Sequence, residues 1–222
     1  MLVIFDWDGT LANTTHKIVS CLQSASQEVG LPLLTVAEYQ QIIGLGLSEA
    51  IKTLYPDENE AMQSEMQATY SKHFIADKSE VVFFDGVAQR LADLRALGVS
   101  LAVATGKSRK GLNRQLAHFN AEAWFDITRC ADETASKPNP KMLHEILAET
   151  GLHAKNAIMV GDTSFDLDMA NNATMAAIGV SYGAHSIDVL NKSQPLAVVD
   201  TFEDVYQTII THFGLVCGKA AI

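Results

Sequence analysis

The sequence predicts an α/β fold, in which a doubly wound parallel sheet forms the core and an α-helical cap is inserted near its start. Short apolar runs recur along the chain, and a helix-length pattern follows most of them. One long helical interval, residues 14–80, interrupts this rhythm after the first run. A chain of 222 residues is long enough to bury a sizeable core, as one domain or as one domain with an insert.

The predicted strands are short runs rich in Val, Ile and Ala that do not alternate with polar residues, which suits strands buried on both faces of a parallel sheet. The clear runs are 2–5, 99–104, 156–160 and 175–180, and weaker ones lie at 125–130 and 195–200. Helical patterns occur at 86–97, 108–118, 139–150 and 165–173. This βαβ alternation is typical of a Rossmann-like sheet.

The interval from residue 14 to about residue 80 contains four helical patterns and no convincing strand. If these helices only covered one face of the sheet, the crossover would be about 60 residues long, whereas βα units usually close in far fewer. We therefore expect a cap domain at 14–80, seated over a core domain made of 1–13 and 81–222.

The totals of the composition exclude several classes of protein. With 16 basic and 26 acidic residues the formal net charge is −10, a poor match to nucleic acid or an anionic membrane. No apolar segment approaches the roughly 18 residues of a membrane span, and the start of the chain does not read as a signal peptide. The separated cysteines Cys21, Cys130 and Cys217 favour reduced thiols over disulfides or a zinc site. We expect a cytoplasmic protein, a monomer or weak dimer, with no nucleic-acid or membrane partner.

Chemically unusual residues stand directly after three predicted strands and before one predicted helix, where ligands of open α/β sheets bind. In chain order they are Asp6 and Asp8; Thr105, Gly106 and Lys107; Lys137; and Asp162 with Asp166. Each group has an ordinary explanation, because aspartates cap helices and shape turns, Thr-Gly can end a strand, and lysines are usually exposed. One shared site explains them together better than four coincidences do.

Three carboxylates close together indicate that a cation binds between them. Asp6, Asp8 and Asp162 would repel one another within a few ångströms, and hard carboxylate oxygens are the ligands that Mg²⁺ accepts. Such an ion would also hold the phosphate of a small phosphorylated metabolite against this acidic chain. The alternative of an EF-hand fails, because its sixth and twelfth positions would be Leu11 and Lys17.

The chemical requirements of phosphoryl transfer suggest a role for each of these residues. Asp6 is suited to attack phosphorus and form an aspartyl phosphate, while Asp8 protonates the leaving alcohol and then activates water. The hydroxyl of Thr105 and the amide of Gly106 are donors for phosphate oxygens. Two lysines complete this group: Lys137 is the fixed cation of the predicted site, and Lys107 is expected to approach the phosphate.

With DWDGT at 6–10, TGK at 105–107, Lys137 in KPNP, and GDTSFD at 161–166, the sequence resembles the haloacid dehalogenase-like (HAD) hydrolase superfamily. The segment before FFDGV is similar to the helical cap of the first type, and the whole looks closest to phosphoglycolate phosphatase-like enzymes. The resemblance implies a magnesium-dependent phosphatase with the roles given above. It adds that Asp8 binds the metal through its backbone carbonyl and that Asp166 orients the metal's waters or Lys137.

Several functions remain open beside phosphatase. They are a sugar phosphomutase, a pyrophosphatase or nucleotidase of the same superfamily, and an idle binding or regulatory module. Asp8 counts against dehalogenation, Thr10 favours hydrolysis over sugar phosphomutation, and an idle module would be expected to lack at least one catalytic residue. Phosphoglycolate is the expected substrate; candidates for its second anionic group are the cap residues Lys17, Lys52, Lys72 and His73, although a solvated helix face is their commoner place.

Overall fold

A computed structural model describes residues 1–215 of the chain. Residues 216–222, which include Cys217 and the end of the predicted core domain, lie outside this description. Within the described part a single sheet of six parallel strands has the order β3-β2-β1-β4-β5-β6. The strands are β1 (Leu2–Phe5), β2 (Ser100–Thr105), β3 (Ile127–Cys130), β4 (Ala157–Gly161), β5 (Ala176–Val180) and β6 (Ala197–Val199). The predicted α/β class and parallel sheet are confirmed.

The first strand lies in the centre of the sheet. Leu2 of β1 is in register with Ser100 of β2 on one side and with Ala157 of β4 on the other. Every residue of β1 is fully buried, as its continuous apolar run predicts. Because all three strands run in parallel, their carboxyl ends reach the same edge of the sheet.

The helices surround this sheet in two layers and extend beyond it. They are α1 (Thr15–Glu28), α2 (Val36–Gln40), α3 (Leu47–Leu54), α4 (Glu60–Ala76), α5 (Val87–Ala96), α6 (Arg109–Phe119), α7 (Lys141–Thr150), α8 (Ser164–Asn172), α9 (Ile187–Lys192) and α10 (Phe202–Phe213). One apolar layer includes Phe5 and Phe202, and the layer on the opposite face includes Ile4 and Leu143. The sequence patterns did not include α9, which has only six residues, or α10, which follows the weakest strand.

The four helices between β1 and α5 share an apolar cluster of their own. Leu22, Tyr39, Ile51 and Met66 are buried in it, one from each helix. The chain leaves the sheet and returns to it side by side, because the Asn13 amide donates to the Val82 carbonyl at 2.9 Å. None of the helices in residues 1–215 combines the length and the apolar character needed to cross a bilayer.

Phe5 tests the packing of the central strand. Its ring is fully buried and lies 5.9 Å from that of Phe202 between centroids. We expect Phe5→Ala to lower the free energy of unfolding by about 3–5 kcal/mol, because it removes a large buried ring and leaves a cavity. Urea unfolding followed by circular dichroism measures this. Leu33→Ala is the control, since Leu33 is 60% exposed and should change stability by less than about 0.5 kcal/mol; a similar small loss for Phe5→Ala would contradict the packing.

Candidate active site

The carboxyl ends of β1, β2 and β4 bring the predicted residues to one edge of the sheet. Asp6 directly follows β1, and its amide donates to the Val160 carbonyl of β4 at 2.9 Å, which continues the strand pairing by one residue. Asp162 directly follows β4, and Thr105 is the last residue of β2. All three side chains are buried, with 1% exposure at Asp6 and none at the other two.

Three buried carboxylates form the centre of this edge. Asp6, Asp162 and Asp166 each offer an oxygen atom within 4.8 Å of the other two. Asp162 accepts hydrogen bonds from the Thr10 hydroxyl at 2.9 Å and from the Ala184 amide at 2.7 Å. Asp6 Oδ2, in contrast, is buried and has no hydrogen-bond partner among the described residues.

Asp166 is held at the start of α8 by a capping box. Its Oδ2 accepts from the Thr163 amide at 3.1 Å and from the Thr163 hydroxyl at 2.7 Å, so the carboxylate turns back toward the helix N-terminus. This is the helix-start role that residue chemistry alone predicts. The structure adds that the same carboxylate lies with Asp6 and Asp162.

Lys137 is the cation that lies inside this group. Its side chain is fully buried, and Nζ lies 2.5 Å from Asp6 Oδ1 and 2.7 Å from Asp166 Oδ1. Burial alone would lower the pKa of Lys137, but Asp166 and Asp6 raise it above the ordinary value, so the ammonium stays charged. One positive charge therefore stands among three carboxylates.

The surplus of negative charge appears in the pKa values. Burial raises the pKa of Asp6 to about 7; Lys137 opposes the rise, while Asp166 and Asp8 add to it. Burial also raises the pKa of Asp162, and the neighbouring charges of Asp6 and Asp166 act in the same direction. A protein without a bound cation would thus hold protons on this group near neutral pH.

These residues fit a divalent cation. Such an ion has the hard oxygens of three carboxylates within 4.8 Å of one another as ligands, and it compensates the excess of two negative charges over Lys137 when all three are ionised. The carboxylates brought together are Asp6, Asp162 and Asp166, whereas the sequence predicted the side chains of Asp6 and Asp162 with Asp8 as the third ligand.

The Asp8 carboxylate is directed to other partners. Its Oδ1 accepts from the Thr14 hydroxyl at 2.5 Å and pairs with Lys107 Nζ at 2.8 Å. Lys107 also lies 5.0 Å from the centre of the Phe74 ring, in α4. Asp8 is thus at the site but outside the carboxylate trio, and metal binding through its backbone carbonyl stays a prediction.

Gly106 lies under the segment that joins α2 to α3. A Cβ atom at this position would come within 2.6 Å of the Gly44 carbonyl oxygen and 2.5 Å of that of Leu45. Gly44 has a φ of +99° and faces the Thr163 hydroxyl, and the Gly46 amide donates to Ser136 Oγ at 2.8 Å. The segment 44–46 therefore lies directly on the strand ends, and the absence of a side chain at Gly106 allows this contact.

His185 forms a second contact between the helical segment (residues 14–80) and the part of the chain that forms the sheet. Its Nδ1 accepts from the Ser164 amide at 3.0 Å, so the proton is on Nε2, which lies 3.3 Å from the Gln41 carbonyl oxygen. Burial lowers the pKa of His185, which keeps the ring neutral. His185 thereby joins the start of α8 to the end of α2.

A cavity of about 260 Å³ opens beside the segment 44–46, with Asp6 and Asp8 in its lining. None of the four cap cations proposed from sequence lines it. Lys17 bonds to Asp77, Lys72 and His73 bond to Glu28, and Lys52 is exposed. Their predicted role against a second anionic group is not supported by these positions.

Sequence reasoning missed several residues that orient the carboxylates. From the sequence alone, Thr10 is only a feature that favours hydrolysis and residue 14 only the start of the cap, although Thr10 and Thr14 each donate to an aspartate of the site. Thr14 lies six residues from the Asp8 that it binds, which was an available signal, whereas Thr10 binds Asp162 from 152 positions away. The Ala184 amide and the His185 ring have no such signal, because the fold brings them to Asp162 and Ser164 from a distant part of the chain.

Comparisons with known proteins agree with this architecture. The protein named "Probable phosphatase IndB" of Dickeya dadantii is 37% identical over 210 residues, 92% of this chain and 91% of the relative. The tyrosine-protein kinase PtkA of Mycobacterium tuberculosis is 33% identical over 95% of this chain and 68% of its own length. The crystal structure of a predicted phosphoglycolate phosphatase from Haemophilus somnus 129pt superposes with a TM-score of 0.85 and 24% identity, covering 94% of this chain and 97% of the other.

The model of the haloacid dehalogenase-like hydrolase family matches residues 3–180, a range that runs from β1 to the end of β5 and includes all eight predicted site residues. The family expected from the four sequence motifs is confirmed, and the chain belongs to the haloacid dehalogenase-like hydrolases.

Proposed function

We propose that this hydrolase is a magnesium-dependent phosphatase that cleaves a small phosphate monoester through an aspartyl-phosphate intermediate. The observation that carries the proposal is the unpartnered Asp6 Oδ2, in a buried group of carboxylates beside the cavity. Lys137 occupies the other oxygen of Asp6, which leaves Oδ2 available as the attacking atom. The phosphatase name of the Dickeya relative is consistent with this chemistry.

The reaction follows from the positions of Asp6 and Asp8. Asp6 Oδ2 forms a bond to phosphorus as the bond to the leaving oxygen breaks, and Asp8 gives that oxygen a proton. Asp8 then takes a proton from water, which attacks phosphorus and releases Asp6. Thr14 and Lys107 hold the Asp8 side chain in position for both transfers.

The residues that would hold Mg²⁺ are Asp6 and Asp162, with Asp166 beside them and the backbone carbonyl of Asp8 as a further ligand. When bound, the ion neutralises charge on the phosphoryl oxygens. Lys137 fixes Asp6 and shares this charge, while Thr105 and the Gly106 amide bind the phosphoryl oxygens.

We further propose a small phosphorylated metabolite as partner, a cytoplasmic location, and a monomer or weak dimer.

We also propose that residues 14–80 act as a cap domain over a core made of 1–13 and 81–222. The separate apolar cluster of α1–α4 and the side-by-side crossings at Asn13 and Val82 support this division. The mycobacterial relative is named a kinase, but no feature of the described site favours transfer of a phosphoryl group to a protein over hydrolysis. Phosphoester hydrolysis therefore remains the proposal.

Asp6→Asn tests the nucleophile. We expect kcat for p-nitrophenyl phosphate in the presence of Mg²⁺ to fall by at least about 10³-fold, because an amide is a poor nucleophile and a weaker metal ligand. Asp188→Asn makes the same change at an exposed position of α9 and should keep wild-type turnover. Retained activity in Asp6→Asn would remove Asp6 from the mechanism.

The raised pKa of Asp6 predicts how Mg²⁺ stabilises the protein at different pH. Since this pKa rises from 3.8 to about 7 on folding, the metal-free protein loses stability as pH increases between these values. Mg²⁺ binds the ionised carboxylates, so its stabilisation should be larger at about pH 8 than at about pH 5, reaching about 2.7 kcal/mol at a hundredfold excess over Kd. Thermal unfolding with Mg²⁺ or with EDTA measures this; equal increases in Tm at both pH values would contradict it.

Gly106→Ala tests the contact between the segment 44–46 and the sheet. The added methyl group must displace the carbonyl groups of Gly44 and Leu45, and we expect kcat/KM to fall by about 10²-fold. Gly111→Ala adds the same group in α6, at another position that lines the cavity, where its nearest contact is 3.3 Å from Ser108 Oγ; it should lower kcat/KM far less than Gly106→Ala does. Equal activities of the two variants would show that this contact does not position the site.

A further inference from the structure

On its cap side the cavity has an apolar wall. None of the reaction steps proposed above involves the residues of this wall. This wall comes from α1, the segment before α3, and α4, and its members include Ile18, Leu22, Ile43, Leu45, Phe74 and Ile75. Ile75 is 53% exposed despite its large apolar side chain. An apolar wall with a few polar groups at one end is the usual form of a site for a small organic molecule.

No cation of the cap lines the cavity; Lys17 lies 5.0 Å from the centre of the Phe74 ring, but its ammonium group bonds to Asp77. In residues 14–80, all of which are described, no Lys, Arg or His contributes to the lining. Lys107, on the core side, is paired with Asp8. Lys110 and Arg114 of α6 also line the cavity, but both are exposed to water, where an ion pair contributes little.

This distribution of charge favours an apolar leaving group over one that carries a second negative charge. A leaving group with its own carboxylate would lose water against the apolar wall, where the hydroxyls of Tyr70 and Ser71 are polar but no cation lines the cap side, so its desolvation would be poorly compensated. An apolar body of the same leaving group would instead remove both itself and the exposed part of the wall from water. The wall therefore favours the second kind of ester.

We propose that the substrate is a phosphate monoester whose leaving alcohol carries an apolar body of about the size of a benzyl group, received by the cap wall. This inference rests on the proposed function, since it places the phosphate at Asp6. Ile75 and Phe74 of α4 are then specificity-determining residues. Phosphoglycolate, with its second anionic group, is a poor substrate on this reading.

Competing phosphate esters test the proposal on the full-length chain with Mg²⁺. Benzyl phosphate and ethyl phosphate both release alkyl alcohols, so intrinsic reactivity separates them far less than it separates aryl from alkyl esters. We expect kcat/KM for benzyl phosphate to exceed that for ethyl phosphate and for phosphoglycolate by at least about tenfold. Phosphoglycolate or ethyl phosphate hydrolysed as well as benzyl phosphate would overturn the inference and leave the phosphatase proposal intact.

A matched pair of variants assigns the preference to the wall. Ile75→Ala should lower the ratio of benzyl to ethyl kcat/KM by about threefold or more, because part of the apolar contact is lost. Ile187→Ala removes the same atoms from α9, where Ile187 is 48% exposed and does not line the cavity, and should leave the ratio unchanged. Equal ratios in Ile75→Ala and the unmodified chain would overturn the role of the wall, whereas failure to turn over any ester would overturn the proposed function and this inference together.

Discussion

The arrangement of the site depends on the burial of three carboxylates around one lysine. Like charges at this separation, when they are buried, are tolerated only when hydrogen bonds, cations or protons compensate them. The surroundings supply all three kinds of compensation. Thr10 and the Ala184 amide bind Asp162, Lys137 pairs with two of the carboxylates, and the pKa of Asp6 rises to about 7. A site with this balance is prepared for a further positive charge and for an anion that accompanies it.

The sequence was sufficient for the sheet and for the residues at its edge, because apolar runs and the polar residues that end them are local features. It could not give side-chain direction. Asp8 is two residues from Asp6, yet its carboxylate turns to Lys107, which approaches from another strand end. Nor did it identify the capping of α8 as the cause that brings Asp166 to the trio. Such directions depend on contacts between distant segments.

Charge is distributed unevenly between the two sides of the cavity. The chain carries a net charge of −10, but the core side of the cavity brings together the exposed cations Lys110 and Arg114, next to Lys107, which pairs with Asp8. Exposed cations beside a cleft attract anions before any contact forms, and the effect weakens with ionic strength. The cap side contributes apolar contact instead. In the proposed reaction, attraction of the phosphate and recognition of the rest of the molecule would thus fall to different parts of the chain.

Thr14 occupies a position whose importance is not evident from its chemistry. Its hydroxyl holds Asp8 at 2.5 Å, and its backbone is the first beyond Asn13, where the chain passes from the sheet into α1. A rotation of the backbone at this crossing would carry the hydroxyl with it and would lengthen the hydrogen bond to Asp8. A change in the angle between the helical segment and the sheet would therefore also change the orientation of the Asp8 carboxylate.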